Sequence, residues 1–323
     1  MRYGILGAGN IAHAFSTALK GLNLTREAIG SRDIDRAQAF KKTYGFKKAY
    51  DSYDALLDDE AVDCVYIATP HSFHFEHVMK ALDKGKHVIC EKPIALNHVA
   101  ATKLYEYAAS LNLLLVEALW TKFSPLTNHL KTNIYDYIGH IKTLTVDFSF
   151  KGDFDPNNRL YNIHLGGGAL LDVGIYPVTY ANLFLGKPKS IKTEMTLSTT
   201  GVDETSTIDY IYDNQTAHMT ISIAQDGPRD AIFKGDKGII KVPFFWGAET
   251  AYLYDLDMNL IKEITFKNKI NGYEYEIESF EKSVKDRLLD SPFHKAIDAI
   301  EVFKQLDQIR AIWGLTYPEE RGY

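Results

Sequence analysis

The sequence predicts a two-part α/β chain: a doubly wound parallel sheet, then an α+β domain with a large open, mostly antiparallel sheet. Three observations predict it. Over residues 2–120 short apolar runs alternate with helical patterns, and strand-helix alternation with short links buries a parallel sheet under helices on both faces. After about Lys122 the pattern changes to single alternation, with Leu144, Val146, Phe148 and Phe150 set against Thr143, Thr145, Asp147 and Ser149, as in half-buried antiparallel strands. At 323 residues the chain also exceeds one typical domain of about 100–200 residues, so the expected division is 1–121 and 122–323.

The elements follow in order. Tyr3-Gly4-Ile5-Leu6 reads as the first strand, 10–21 as a helix, Ala28-Ile29-Gly30 as a strand and 34–43 as a helix. The alternation continues through a strand at Asp63 to Thr69, a helix at 72–84, a strand at His87 to Cys90, a helix at 97–111 and a strand at Leu113 to Glu117. In the second part strands are expected at 143–150, 189–198, 204–212, 218–223, 229–234, 238–243 and 250–266, separated by turn residues. The stretch 293–313 has helical spacing at Ile297, Ile300, Phe303, Leu306 and Ile309, with Pro292 near its start. It is expected to close the chain and to pack back on the first domain.

Composition excludes several classes. A formal charge of −6 with no basic block gives a nucleic-acid partner no electrostatic support. No segment reads as the roughly 20 apolar residues that span a bilayer, the nearest being Leu111 to Trp120, which contains Glu117. Met1-Arg2-Tyr3 runs straight into a strand pattern without the features of a signal peptide, so a cytoplasmic location is expected. The two cysteines, Cys64 and Cys90, fall in apolar strand-like runs and read as buried thiols.

Gly7-Ala8-Gly9-Asn10-Ile11-Ala12 follows the first strand and opens a helix, the setting that the Rossmann dinucleotide fingerprint requires. Gly7 permits the tight turn, Gly9 lets backbone approach a pyrophosphate, and the helix start at Asn10 and Ile11 supplies N–H groups for phosphate oxygens. A nicotinamide dinucleotide is the expected cofactor. At the end of the second strand, Ser31 and Arg32 favour NADP, because a guanidinium and a hydroxyl can hold a 2′-phosphate. Asp33 leaves NAD open: it reads as the cap of the next helix, but a shift of one residue makes it a ribose ligand.

Cys90-Glu91-Lys92-Pro93 places a lysine at the carboxyl end of a parallel strand, where doubly wound folds bind ligands. The second domain contributes Gly166-Gly167-Gly168 and then Asp172 and Tyr176, whose spacing of four shares one face of an α-helix. Trp120 and Phe123 read equally as substrate-lining aromatics or as core. Arg159 and Asn158 precede the glycines in a polar loop that either reaches substrate hydroxyls or is simply solvated. Thr69-Pro70-His71-Ser72-Phe73-His74 with His77 lacks the converging ligand pattern of a zinc site, so no metal is expected.

In these motifs the chain resembles the glucose-fructose oxidoreductase, inositol dehydrogenase and MocA (Gfo/Idh/MocA) family. The resemblance spans the whole chain. Within the family it is most similar to the branch of dimeric dihydrodiol dehydrogenases and NADP-dependent xylose dehydrogenases. Ser31-Arg32-Asp33, Glu117-Ala118-Leu119-Trp120-Thr121-Lys122-Phe123 and the tyrosine at 176 carry that likeness, although Lys122 stands where arginine is expected. The resemblance implies an NADP-dependent oxidoreductase acting on a hydroxyl of a sugar, polyol or cyclic diol, and a homo-oligomer, with a dimer favoured. It implies catalytic roles for Lys92, Asp172 and Tyr176, with Asp172 holding Lys92 in place. It places Thr69, Pro70, Glu91 and Lys92 on the cofactor side, with His71 and His74 as cofactor-loop or helix-start residues. Either Tyr176 or Lys92 takes the hydroxyl proton, since burial and a cationic nicotinamide disfavour protonated Lys92 while Asp172 favours it. A non-catalytic cofactor-binding sensor and an NAD-dependent glycosidase are the alternative activities.

Overall fold

The computed structural model describes residues 1–322 and divides into two compact units. The first comprises Met1–Trp120 and Asn268–Ile300, the second Thr121–Lys267 and Glu301–Gly322. The linear division at 121/122 therefore leaves out a C-terminal contribution to the first unit. The closing helix, Ala296–Trp313, has residues in both.

In the first unit six parallel strands, β1 (Arg2–Leu6), β2 (Thr25–Gly30), β3 (Lys48–Tyr50), β4 (Cys64–Ile67), β5 (His87–Glu91) and β6 (Leu115–Ala118), lie in the order β3-β2-β1-β4-β5-β6. Cys64 to Ile67 are all buried because helices cover both faces, which is why these strands read as unbroken apolar runs. The chain winds outward from β1 in one direction and from β4 in the other. The switch point thus lies between β1 and β4, at the carboxyl end of the sheet. Helices α1 (Asn10–Gly21), α2 (Ile34–Tyr44), α3 (Tyr53–Leu57), α4 (His74–Asp83) and α5 (His98–Ser110) connect the strands. Asp33 caps α2, accepting the Arg36 amide at 3.1 Å, and this settles its structural role.

Two elements of this unit escape the periodicity. β3 and α3 are short, and Ser52 rather than an apolar stripe defines α3, by accepting the Ala55 amide. The helix Glu274–Lys285 also belongs here. Its first carboxylate accepts the amides of Lys269, Ile270, Asn271 and Gly272, so Glu274 organises the turn that precedes the helix.

The second unit begins with α6 (Pro125–Ile138), capped by Ser124 with proline at its first position. Eight strands follow: β7 (Ile141–Ser149), β8 (Ser190–Leu197), β9 (Asp203–Ile211), β10 (Thr216–Ser222), β11 (Asp230–Gly235), β12 (Ile239–Pro243), β13 (Thr250–Tyr254) and β14 (Leu260–Thr265). They form one sheet in the order β14-β13-β12-β11-β7-β10-β9-β8, antiparallel except for the β7–β10 pair. The single run expected at 250–266 is a hairpin. Asp255 folds it back by accepting the amides of Asp257 and Asn259 at 3.0 and 2.8 Å.

The apolar stretch Ile163–Leu185 is long enough to cross a membrane, contrary to the expectation that Leu111 to Trp120 came nearest, but most of it is buried in the protein. Its part after the glycine turn is the core helix of the second unit. Its last turns form α7 (Ile175–Leu185), and Leu170–Gly174 form a π-helical turn. Asp172 therefore lies in the π-helical turn and Tyr176 in the first turn of α7, and the wider turn no longer stacks residues four apart directly. Gly174 allows this turn to lie against the sheet, because a Cβ there would stand 2.6 Å from Ile221 Cδ1.

Candidate active site

In the first unit the residues read as cofactor ligands gather around the switch point. Gly7 adopts φ +99°, and a Cβ there would stand 2.7 Å from the Ala68 carbonyl oxygen, so only glycine lets the β1 turn pass the β4 turn. The Gly7 amide is taken by the Gly30 carbonyl at 3.0 Å. Gly9 is different. It is exposed with φ −88°, and a Cβ there would meet nothing within 4 Å, so open space stands over the start of α1. No side chain caps that helix, which leaves the amides of its first turn, from Asn10 and Ile11 onward, without a side-chain acceptor. These features fit a dinucleotide pyrophosphate.

Ser31 is buried, and its hydroxyl accepts the Asp33 amide at 3.3 Å. Arg32 is exposed and hydrogen-bonds the Tyr53 hydroxyl. With Asp33 engaged as a helix cap, the cationic Arg32 dominates the end of β2, as a 2′-phosphate requires.

The loops after β4 and β5 are joined by one histidine. His74, fully buried at the start of α4, places Nε2 2.7 Å from the Thr69 carbonyl and Nδ1 2.7 Å from the Pro93 carbonyl. Burial holds its pKa below the usual histidine value, with the two carbonyl contacts opposing. His74 is thus a structural tie beside Lys92. His77 accepts or donates at Thr69 Oγ1, 2.9 Å away, and burial lowers its pKa to about 4. Among the described residues no three His, Cys, Asp or Glu side chains converge as metal ligands.

Sequence reasoning gave Glu117 no individual role. From β6 its buried carboxylate accepts the Ile94 amide at 2.9 Å and meets His294 Nε2 at 2.8 Å. The segment Lys92-Pro93-Ile94 is consequently fixed by His74 on one carbonyl and Glu117 on one amide. An acid inside an apolar strand was the available signal; His294 offered none. Glu91 accepts a hydrogen bond from the buried Tyr66 hydroxyl. The nearby Glu276 is driven far above the carboxylate range by burial and then by Glu91. Trp120 stacks on Tyr273 with ring centroids 4.8 Å apart.

In the second unit Asp172 is 4% exposed and accepts from Arg159 Nη1 at 2.7 Å. Neither reading of Arg159 anticipated this ion pair. Tyr176 is 7% exposed and lies 5.5 Å from the Phe148 ring, which stacks on Trp246 at 3.9 Å. Phe123 is buried. The glycine turn before Asp172 rests on Asp203, whose Oδ2 accepts the Leu170 amide at 2.7 Å.

Burial pushes the Asp203 carboxyl up to about 7, opposed by the Leu170 amide and Arg310. The folded chain therefore binds this proton more tightly than the unfolded chain. The associated stability is complete below the ordinary carboxylate value and is lost as pH rises through about 7. The melting temperature of Asp203→Asn relative to the unmodified chain is expected to climb between about pH 4 and pH 7 and then level off, as measured by calorimetry. A difference that does not vary with pH would show that this carboxyl does not titrate with folding.

A switch-point glycine turn open over a helix start, with a lysine at the end of β5, defines the first unit as a dinucleotide-binding domain of an oxidoreductase. The comparisons agree. Residues 1–118 match the profile of the oxidoreductase family with an NAD-binding Rossmann fold, and residues 136–241 match the GFO/IDH/MocA C-terminal domain. A trans-1,2-dihydrobenzene-1,2-diol dehydrogenase of Xenopus tropicalis is 30% identical over 98% of this chain and 99% of its own. A 3-ketoreductase from Actinomadura kijaniata, solved with NADP and TDP-benzene, superposes with TM-score 0.86 at 25% identity, covering 96% of this chain and 97% of its own. An aldose-aldose oxidoreductase from Caulobacter crescentus shares the fold, with TM-score 0.85 at 19% identity and 96% of each chain covered. The chain belongs to the Gfo/Idh/MocA oxidoreductase family, and it is a dehydrogenase.

Proposed function

We propose that the protein is an NADP-dependent dehydrogenase of a sugar, polyol or cyclic diol, with Lys92, Asp172 and Tyr176 as its catalytic residues. The observation that carries this reading is the open space over Gly9 together with Arg32, not an acid, at the end of β2. When bound, NADP supplies the hydride acceptor or donor for the carbinol carbon. The chain's own residues supply positioning and proton transfer. Gly9 and the first amides of α1 hold the pyrophosphate, and Ser31 and Arg32 hold the 2′-phosphate. Tyr176 takes the hydroxyl proton at its phenolic oxygen, and the positive charge of Lys92 favours the ionised phenol. Asp172 orients the charged groups, including Arg159, which it binds at 2.7 Å. Phe148 and Trp246 give the substrate an aromatic wall beside Tyr176.

The relatives support the substrate class, since their names specify a dihydrodiol and an aldose. Incubating the protein with NADP⁺ and trans-1,2-dihydrobenzene-1,2-diol, D-xylose and a panel of hexoses tests it. NADPH absorbance should rise with at least one of them, and no rise with any would refute it. Arg32→Ala should weaken NADP(H) far more than NAD(H), because only the former presents a 2′-phosphate. Equal losses in titrations of the two cofactors would overturn the NADP assignment.

We read the protein as cytoplasmic and, from its acidic balance, as having no nucleic-acid partner, with no membrane partner either. We further read it as a homodimer, in keeping with exposed Leu197 on β8 and exposed Leu260 and Ile261 on β14. Sedimentation at micromolar concentration should give twice the chain mass; a monomer would exclude this.

A further inference from the structure

Asp203 is the first residue of β9, remote in sequence from the Asp172–Tyr176 segment, yet it meets that segment at its start. It is 0% exposed. Its Oδ2 accepts the amide of Leu170, the first residue of the π-helical turn, at 2.7 Å. Its Oδ1 faces Gly168, which has φ +113°, and a Cβ on Gly168 would stand closer to that oxygen than real side chains approach. On the same glycine turn the Tyr317 hydroxyl donates to the Gly167 carbonyl at 2.7 Å. Tyr317 is itself held under Arg310, 5.2 Å from guanidinium to ring centroid, and Arg310 pairs with Asp307 and Glu320 at 2.5 and 2.7 Å.

The amides at a helix start have no partner within the helix, and one buried in an apolar core must find an acceptor elsewhere. At Leu170 that acceptor is a carboxylate on a sheet strand, a more rigid support than a loop. Asp172 lies two residues beyond Leu170 and Tyr176 six beyond, so the point at which Leu170 is tied determines where both side chains begin. Gly168 is required because the carboxylate approaches its Cα too closely for any other residue.

We propose that Asp203 is a positioning residue for the reaction: it ties the first amide of the Leu170–Gly174 turn and thereby sets the position of the Tyr176 hydroxyl, without touching substrate or cofactor. The catalytic half of this rests on the reading of Tyr176 given above. The physical half does not.

Three variants, Asp203→Asn, Asp203→Ala and Tyr176→Phe, test it in the full-length protein. Hydrogen exchange of the peptide covering residues 166–178 needs no substrate. Asp203→Ala should speed exchange there by about tenfold or more, as expected when a buried amide loses its acceptor, while the β7, β10 and β11 peptides stay protected. In NADPH formation from NADP⁺ and trans-1,2-dihydrobenzene-1,2-diol, Asp203→Ala should lower kcat by about tenfold to a hundredfold, the scale of a small misplacement of a reacting group. KM for NADP⁺ should stay within about twofold, because the cofactor-binding residues are untouched. Asp203→Asn keeps an acceptor for the Leu170 amide and should restore both readouts. Unchanged exchange in Asp203→Ala, failure of Asp203→Asn to rescue, or exchange rising across the whole sheet would each overturn the proposal. If Tyr176→Phe turns over normally, the reading of Tyr176 fails, and the exchange comparison still decides whether Asp203 ties the turn.

Discussion

Lys92→Ala and Tyr176→Phe are each expected to lower turnover by about a hundredfold or more, the scale on which lost acid-base assistance is felt. Both residues are assigned to one proton transfer, so the double variant should lose much less than the product of the single losses. NADP affinity should survive in all three, since the open space over Gly9 and the cationic end of β2 are unaltered. The outcome also separates the two proton acceptors. Near-normal turnover in Tyr176→Phe with an inactive Lys92→Ala would make the lysine the base. Full activity in both would place the chemistry elsewhere.

Replacing Gly9 by valine should abolish NADP binding and leave the fold intact. The two glycines of the turn differ in a measurable way here. At Gly7 a side chain would strike the Ala68 carbonyl and force φ +99° on a branched residue, so Gly7→Val is expected to damage folding. At Gly9 the backbone is in a region open to every residue and a Cβ meets no protein atom, so the only thing the valine can exclude is the ligand. Circular dichroism and a cofactor titration by protein fluorescence read the two effects separately. A Gly9→Val protein that binds NADP normally would show that the turn is not the pyrophosphate site.

The parallel sheet was legible because both of its faces are buried, which turns each strand into an apolar run bounded by turn residues. The second sheet was legible for the opposite reason, since one half-solvated face leaves alternation in β7 and β10. α6 carried readable signals, Ser124-Pro125 followed by Leu126, Leu130, Ile134 and Ile138, that the strand pattern around it obscured. The turn at Asp255 was hidden because polar turn residues and exposed strand residues of β14 look alike in sequence. Among the candidate site residues and those packed around them, the glycine, lysine and tyrosine motifs announce themselves through local spacing. Asp203, His294 and Trp246 do not, because their partners are 33, 177 and 98 residues away. The π-helical turn at Leu170–Gly174 was invisible for a related reason: its surroundings, Gly174 against Ile221 and the Leu170 amide on Asp203, are tertiary and leave no periodic trace.

As a dehydrogenase, this chain moves a hydride between NADP and a carbon-bound hydroxyl, with no net chemistry on any other bond. The most direct measurement is the balance of that reaction: the amount of NADPH formed from NADP⁺ against the amount of diol or sugar converted, followed by absorbance and chromatography in one vessel. One NADPH for each molecule oxidised, with the product carrying a carbonyl in place of the hydroxyl, is the predicted result. Product released without net NADPH, as a glycosidase would give, or cofactor bound tightly with no conversion at all, as a sensor would give, would contradict it.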